Sequence, residues 1–185
     1  MRKDERQCPE LTDQELVRRG ITGDEAALGI LVRRHHAAAY RVALSIMRGD
    51  DVAQDVVQDT FLKAFRALDR FRGDASFRTW LLTITANEAR GALRRQLRRK
   101  ETAFEEAGLI RSEEKEPDEA AVMAQEAGRA RALMEHLPEK QRLSVSLRIE
   151  EGLSFREIGE VIGSSEGSAR VNYFHAIRRL RELMK

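Results

Sequence analysis

The amino-acid sequence predicts an all-α protein: two small helical domains joined by a flexible acidic linker, the second carrying a helix-turn-helix. Three observations predict it. Among 185 residues only 3 are proline, and only 5% are aromatic. Long stretches repeat apolar residues at helical spacing, and none alternates as a half-buried strand would. Residues that close helix ends recur ahead of those stretches.

Thr12 with Glu15, and Thr22 with Glu25, fit the capping box, in which a hydroxyl and a carboxylate satisfy free amide donors of the first turn. They open helices predicted at roughly 13–20 and 24–48. Gly49-Asp50 precedes a third helix at 51–69, and Arg72-Gly73-Asp74 precedes a fourth at 76–99. The stretch 101–118, ETAFEEAGLIRSEEKEPD, loses periodicity and reads as a flexible tether with room for a short helical turn. Helicity resumes at about 119–136, and Pro138 starts a helix running to about Glu150. Ser154 and Glu157 cap a short helix to Ile162, and a last helix spans about 166–184. The expected organisation is an extension with a short helix at 1–23, a first domain at 24–100, an acidic linker at 101–125 and a second domain at 126–185.

Charge follows the same division. Residues 1–100 carry 20 Lys/Arg against 14 Asp/Glu, residues 101–125 carry 2 against 8, and residues 126–185 carry 11 against 9. Basic blocks of this kind suit a polyanionic partner, although a solvated surface is the plainer reading of any one charged helix. Cys8 is the sole cysteine, which excludes an internal disulfide framework and a thiolate zinc cluster and fits a reducing cytoplasm. No apolar run approaches the ~18 residues of a transmembrane helix. The first ten residues, MRKDERQCPE, lack the apolar stretch of a secretory signal. Membrane insertion is therefore not expected.

Three constellations carry chemistry. In SFREIGEVIG, Gly163 suits a left-handed helix end, and Ser164-Ser165 supply a turn and cap before EGSARVNYFHAIRRLRELM. Ile158, Ile162, Ala169, Tyr173, Ala176 and Leu180 are the predicted inner face. The opposite face presents Arg170, Val171, Phe174, His175 and Arg178. It suits a helix laid in a major groove, with an ordinary amphipathic hairpin as the alternative. In the fourth helix, Trp80, Thr83, Asn87, Arg90 and Arg94 share a face, while Phe77, Leu81 and Ile84 lie toward another. An aromatic ring, small polar groups and arginines together suit an unpaired strand, and core packing is the alternative for Trp80 alone. In the third helix, Asp51, Asp55 and Asp59 line one face, opposite a core stripe of Val57, Phe61, Ala64 and Leu68. Such a strip suits a basic partner or the favourable end of the helix dipole. Its carboxylates diverge too much to wrap one cation. The adjacent His35 and His36 point about 100° apart and cannot chelate one metal. No catalytic set, metal site or cofactor motif stands out, so an enzyme is not expected.

Together the segments LVRRHHAAAYRVALSIMRG, DVAQDVVQDTFLKAFRALDRFRGDASFRTWLLTITANEARGALRR and LPEKQRLSVSLRIEEGLSFREIGEVIGSSEGSARVNYFHAIRRLRELM resemble a bacterial RNA polymerase sigma factor of the extracytoplasmic-function (ECF) group. These are sigma-70 family members with regions two and four only. The resemblance covers about 24–99 and 126–184. It implies that Asp55, Gln58 and Asp59 dock on the clamp helices of the polymerase's largest subunit, and that region four meets the flap. It implies that Trp80, Thr83, Asn87 and Arg90 capture the minus-ten element, with Arg94, Arg95, Arg98 and Arg99 on backbone phosphates. Ser168, Arg170, Val171, Phe174, His175 and Arg178 would read the minus-thirty-five element. The linker would pass near the RNA exit path. A separate anti-sigma factor is an implied partner. His175 stands where the family commonly has arginine, and Val171-Asn172 replaces a frequent serine-arginine pair. The minus-thirty-five preference is therefore this chain's own. A stand-alone helix-turn-helix regulator of duplex DNA is the alternative in another class, and it leaves the tryptophan–asparagine face and the acidic strip unexplained. A helical interaction protein without a DNA role is the third.

Overall fold

The computed structural model describes residues 11–47, 49–106 and 132–184, and within them all regular structure is helical. The first lobe holds α1 (Asp13–Ile21), α2 (Glu25–Met47), α3 (Asp50–Arg66), a single 3₁₀ turn (Leu68–Arg70) and α4 (Phe77–Glu106). A helical turn at 132–135 leads into the second lobe. It comprises α5 (Glu139–Ile149), α6 (Phe155–Ile162) and α7 (Glu166–Leu183). The predicted all-α class holds.

Local chemistry sets the helix ends. Thr12 accepts the Glu15 amide at 3.3 Å and opens α1 as expected. Thr22 does not open α2. Its hydroxyl donates to the Arg19 carbonyl at 2.8 Å, closing α1, and Asp24 Oδ1 accepts the Ala27 amide at 3.0 Å instead. The carboxylate nearest the first turn takes the capping place, because its charge also meets the positive end of the helix dipole. Ser76 accepts the Thr79 amide at 3.0 Å at the start of α4. That helix continues to Glu106, past the expected start of the linker. Most of the helix expected at 119–136 lies outside the described residues; its last turn is present at 132–135.

α2 packs against α1, α3 and α4, and α4 also packs against α3. Leu31, Val42, Ala53, Val57, Ala64, Leu81 and Leu82 are all at most 2% exposed. The stripe predicted for α3 is therefore inward. In the second lobe the capping box of Ser154 and Glu157 is complete, Gly163 adopts φ 67°, and Ser165 accepts the Ser168 amide. Gly159 permits the tight helix-turn-helix. A Cβ there would lie 2.8 Å from the Ser164 carbonyl oxygen, so backbone would have to move.

The two lobes share one core. Leu143 and Leu147 of α5, Leu153, and Ile158, Val161 and Ile162 of α6 join the cluster built by α1 to α4. A smaller cluster of Leu137, Val145 and Ala176 lies between α5 and α7. α5 therefore buries opposite faces against different neighbours.

Candidate nucleic-acid interface

α7 presents its predicted outer face to solvent. Ser168, Arg170, Val171, Phe174, His175 and Arg178 are all exposed, while Ala169 and Ala176 are buried on the other side. Phe174 is 58% exposed, unusual for a ring on a polar helix face. It is held from below, with ring centroids 5.4 Å from Tyr173 and 6.4 Å from Phe155. The Arg170 guanidinium lies 5.3 Å from the Phe155 ring centre and donates to Glu166 at 2.9 Å. A supported apolar ring beside arginines can meet thymine methyls and guanine edges or phosphates.

The stripe on α4 is treated differently. Trp80 is half-buried, 5.2 Å from the Phe71 ring and 5.8 Å from Phe77. It packs on the core and keeps part of its surface exposed. Thr83 is half-buried and donates its hydroxyl proton to the Thr79 carbonyl at 2.9 Å. Asn87 is exposed, as are Arg94, Arg95, Arg98 and Arg99 farther along. Arg90 faces the second lobe. It donates to Glu139 Oε1 at 2.8 Å and reaches the Ile162 carbonyl at 3.4 Å.

Asp51, Asp55 and Asp59 are exposed along α3 together with Gln58. Asp55 and Gln58 rim an open groove of about 840 Å³ between α2 and α3, whose apolar wall includes Val32, Val57, Phe61 and Phe65. An apolar trough with an acidic edge fits an amphipathic helix carrying basic residues.

Several ionic contacts carry no periodic signal in the sequence. The Glu151 carboxylate, fully buried, meets Arg41 at 2.6 Å and also pairs with Arg78. Arg78 donates further to the Glu151 carbonyl at 2.9 Å. Burial, and then Arg41, lower the Arg78 guanidinium's pKa from its ordinary value, although a guanidinium stays charged in proteins. Arg142, 5% exposed, donates to the Ser45 carbonyl at 2.7 Å, one of the acceptors that α2's end leaves without a helical partner. His35 is buried and lies 2.7 Å from Asp13, while His36 is exposed. Hydrogen bonds from Ser154 hold the Glu157 carboxyl below its ordinary range. Among the described residues no cluster of His, Cys, Asp and Glu could hold a metal ion. The sequence signal that could have pointed to Glu151 is only its position, in the Glu-Glu-Gly turn between two apolar helices.

Comparison with known proteins places the chain in a family. The model of sigma-70 region 2 matches residues 31–99, and that of sigma-70 region 4 matches residues 127–180. The ECF RNA polymerase sigma-E factor of Escherichia coli (strain K12) is 37% identical over 177 residues, covering 90% of this chain and 91% of that protein. The RNA polymerase sigma-H factor of Pseudomonas aeruginosa is 32% identical, covering 89% of each chain. Among solved structures, CnrH in complex with the cytosolic domain of CnrY superposes with a TM-score of 0.70 at 28% identity, covering 93% of this chain and 96% of that one. The sigma factor RpoE of Bartonella quintana, in complex with the anti-sigma factor NepR, gives a TM-score of 0.70 at 25% identity, covering 84% and 95%.

Proposed function

The chain belongs to the ECF group of sigma-70 factors, and from that premise we propose how its lobes divide the work of promoter recognition. Asp55 and Gln58, on the edge of the α2–α3 groove, and Asp59, exposed on the same helix, dock on the clamp helices of the polymerase's largest subunit, and the second lobe meets the flap. Trp80, Thr83, Asn87 and Arg90 engage the opened minus-ten strand, and Arg94, Arg95, Arg98 and Arg99 hold its phosphates. Ser168, Arg170, Val171, Phe174, His175 and Arg178 read the minus-thirty-five duplex. The observation that carries this reading is the exposed Phe174 supported by Tyr173 and Phe155 on a helix whose other face is buried. An exposed, supported ring supports a reading surface over a packing one.

The reaction belongs to the polymerase. This chain supplies specificity and strand capture, works in the cytoplasm and is not itself an enzyme. No described helix is long and apolar enough to cross a membrane. A separate anti-sigma factor controls it, by analogy with the RpoE–NepR pair.

Run-off transcription tests this directly. The protein is added to bacterial core polymerase on promoter fragments of the source genome, beside Asp55→Arg and Trp80→Ala. Discrete transcripts that need the protein and weaken in both variants are expected. Silence with a core active on another sigma factor, together with a footprint on duplex DNA without polymerase, would instead establish a stand-alone regulator.

A further inference from the structure

α7 carries four arginines, and among the described residues only Arg170 is ion-paired. Its Nη2 donates to Glu166 Oε1 at 2.9 Å, one helical turn earlier. The same guanidinium lies over the Phe155 ring, 5.3 Å from its centre. That ring is itself held in place. The Arg148 guanidinium, tied to the Leu153 carbonyl at 2.7 Å, lies 5.0 Å from the ring centre, and Tyr173 packs 5.6 Å away. Residues of α5, α6 and α7 thus converge on one exposed guanidinium. Stability does not explain the arrangement, because both members of the ion pair are about half exposed and such pairs contribute little. Affinity for DNA does not explain it either, because a carboxylate on a face that meets phosphates repels them.

We propose that Glu166 and Phe155 are positioning residues that hold the Arg170 guanidinium for one guanine in the major groove, and so set base preference at one position of the minus-thirty-five element. Glu166 takes one of the guanidinium's N–H donors, and Phe155 takes its flat face. Donors on the remaining edge are left for a pair of acceptors, which guanine supplies through O6 and N7. An unheld arginine spreads over many rotamers and meets phosphates as readily as bases. A held one presents its planar fork in a single direction. Arg170 is the fifth residue of α7, within the N-terminal part of a recognition helix that reaches base edges. Docking expels water from this contact, which strengthens the hold of Glu166 when it matters.

The proposal rests on the reading of α7 as the minus-thirty-five helix, and the test separates the two. A promoter transcribed by core polymerase carrying this protein is randomised across its minus-thirty-five duplex. Fragments retained by the holoenzyme are sequenced for the full-length parent, Glu166→Ala, Phe155→Leu and Arg170→Lys, each checked for helicity by circular dichroism. The parent should favour guanine at one position by about tenfold or more. Arg170→Lys keeps the charge without the fork and should lose that preference. Glu166→Ala should cut it to about threefold or less, leave the other positions unchanged and hold non-specific duplex at least as strongly as the parent. Phe155→Leu should relax the same position and, through Phe174, a second one. A guanine preference undiminished in Glu166→Ala or in Phe155→Leu overturns the shared positioning role. Preferences weakened equally at every position by Glu166→Ala make Glu166 a stabiliser of the helix end and overturn it too. A preference that survives Arg170→Lys shows that Arg170 reads no base, and the proposal falls while α7 remains the reader. A parent that selects no base anywhere in the randomised duplex overturns the minus-thirty-five reading of α7 and the proposal with it.

Discussion

α4 and α7 are both proposed to meet nucleic acid, yet the fold presents them differently. α7 holds its outer face in solvent, with a buried alanine stripe behind it and aromatic support beneath Phe174. α4 lies in the middle of the molecule, with Trp80 against two phenylalanines and Arg90 bonded to the opposite lobe. Duplex reading needs only a convex helix with side chains at the right spacing, because the base edges come to it through the groove. Capturing an unpaired base needs an aromatic wall and a recess, and those are built from core residues. The face proposed to capture a strand therefore shares residues with the core, whereas the face proposed to read duplex does not. Perturbing stability and perturbing recognition should separate cleanly on α7 and poorly on α4.

The largest effect should come from the shared core. Leu81 on α4 is fully buried, so Leu81→Ala should cost about 2–5 kcal/mol in urea unfolding. With one core across both lobes, Trp80 fluorescence and far-ultraviolet circular dichroism should lose the same amount. A loss seen by fluorescence alone would break the single-core description. Gly159→Ala should cost about 1–3 kcal/mol by forcing apart the helix-turn-helix, and it should abolish promoter-dependent transcription. A variant as stable and active as the parent would show that the turn yields freely. Ser154→Ala removes the cap of α6, and about 1 kcal/mol should be lost in the same titration.

A smaller effect concerns acid. Burial lowers the pKa of His35 from its ordinary value, although Asp13 acts in the opposite sense. As pH falls past about 6.5 the unfolded chain takes up this proton first. Stability should therefore decline from that pH until the folded-state value is reached. His35→Gln should flatten this part of a pH-dependent melting profile, and an identical slope in both proteins would remove His35 as the cause. The smallest change in stability is expected for Phe174→Ala, within about 0.5 kcal/mol of the parent. Run-off transcription should nonetheless fall, and full transcription with this variant would sever the link between the exposed ring and promoter reading.

What could be read from the residues is what depends on near neighbours. Period and caps located the helices, with Ser154–Glu157, Gly163 and Ser165 behaving as their positions dictate. Thr22 shows the limit of that reading. Its spacing to Glu25 suits a cap, and the folded turn shows instead that Thr22 closes α1 while Asp24 opens α2. The acidic strip on α3 and the outer face of α7 were equally legible, since a face of an exposed helix needs no partner to define it.

The sequence by itself determined the helices, their apolar faces, the helix-turn-helix and the family. Tertiary structure decided which face meets which. Arg41 and Glu151 are 110 positions apart, and nothing near either residue marks it for the other. Periodicity says that a face will be buried but not against what. A charged side chain goes inside only when a partner is brought to it from elsewhere in the chain.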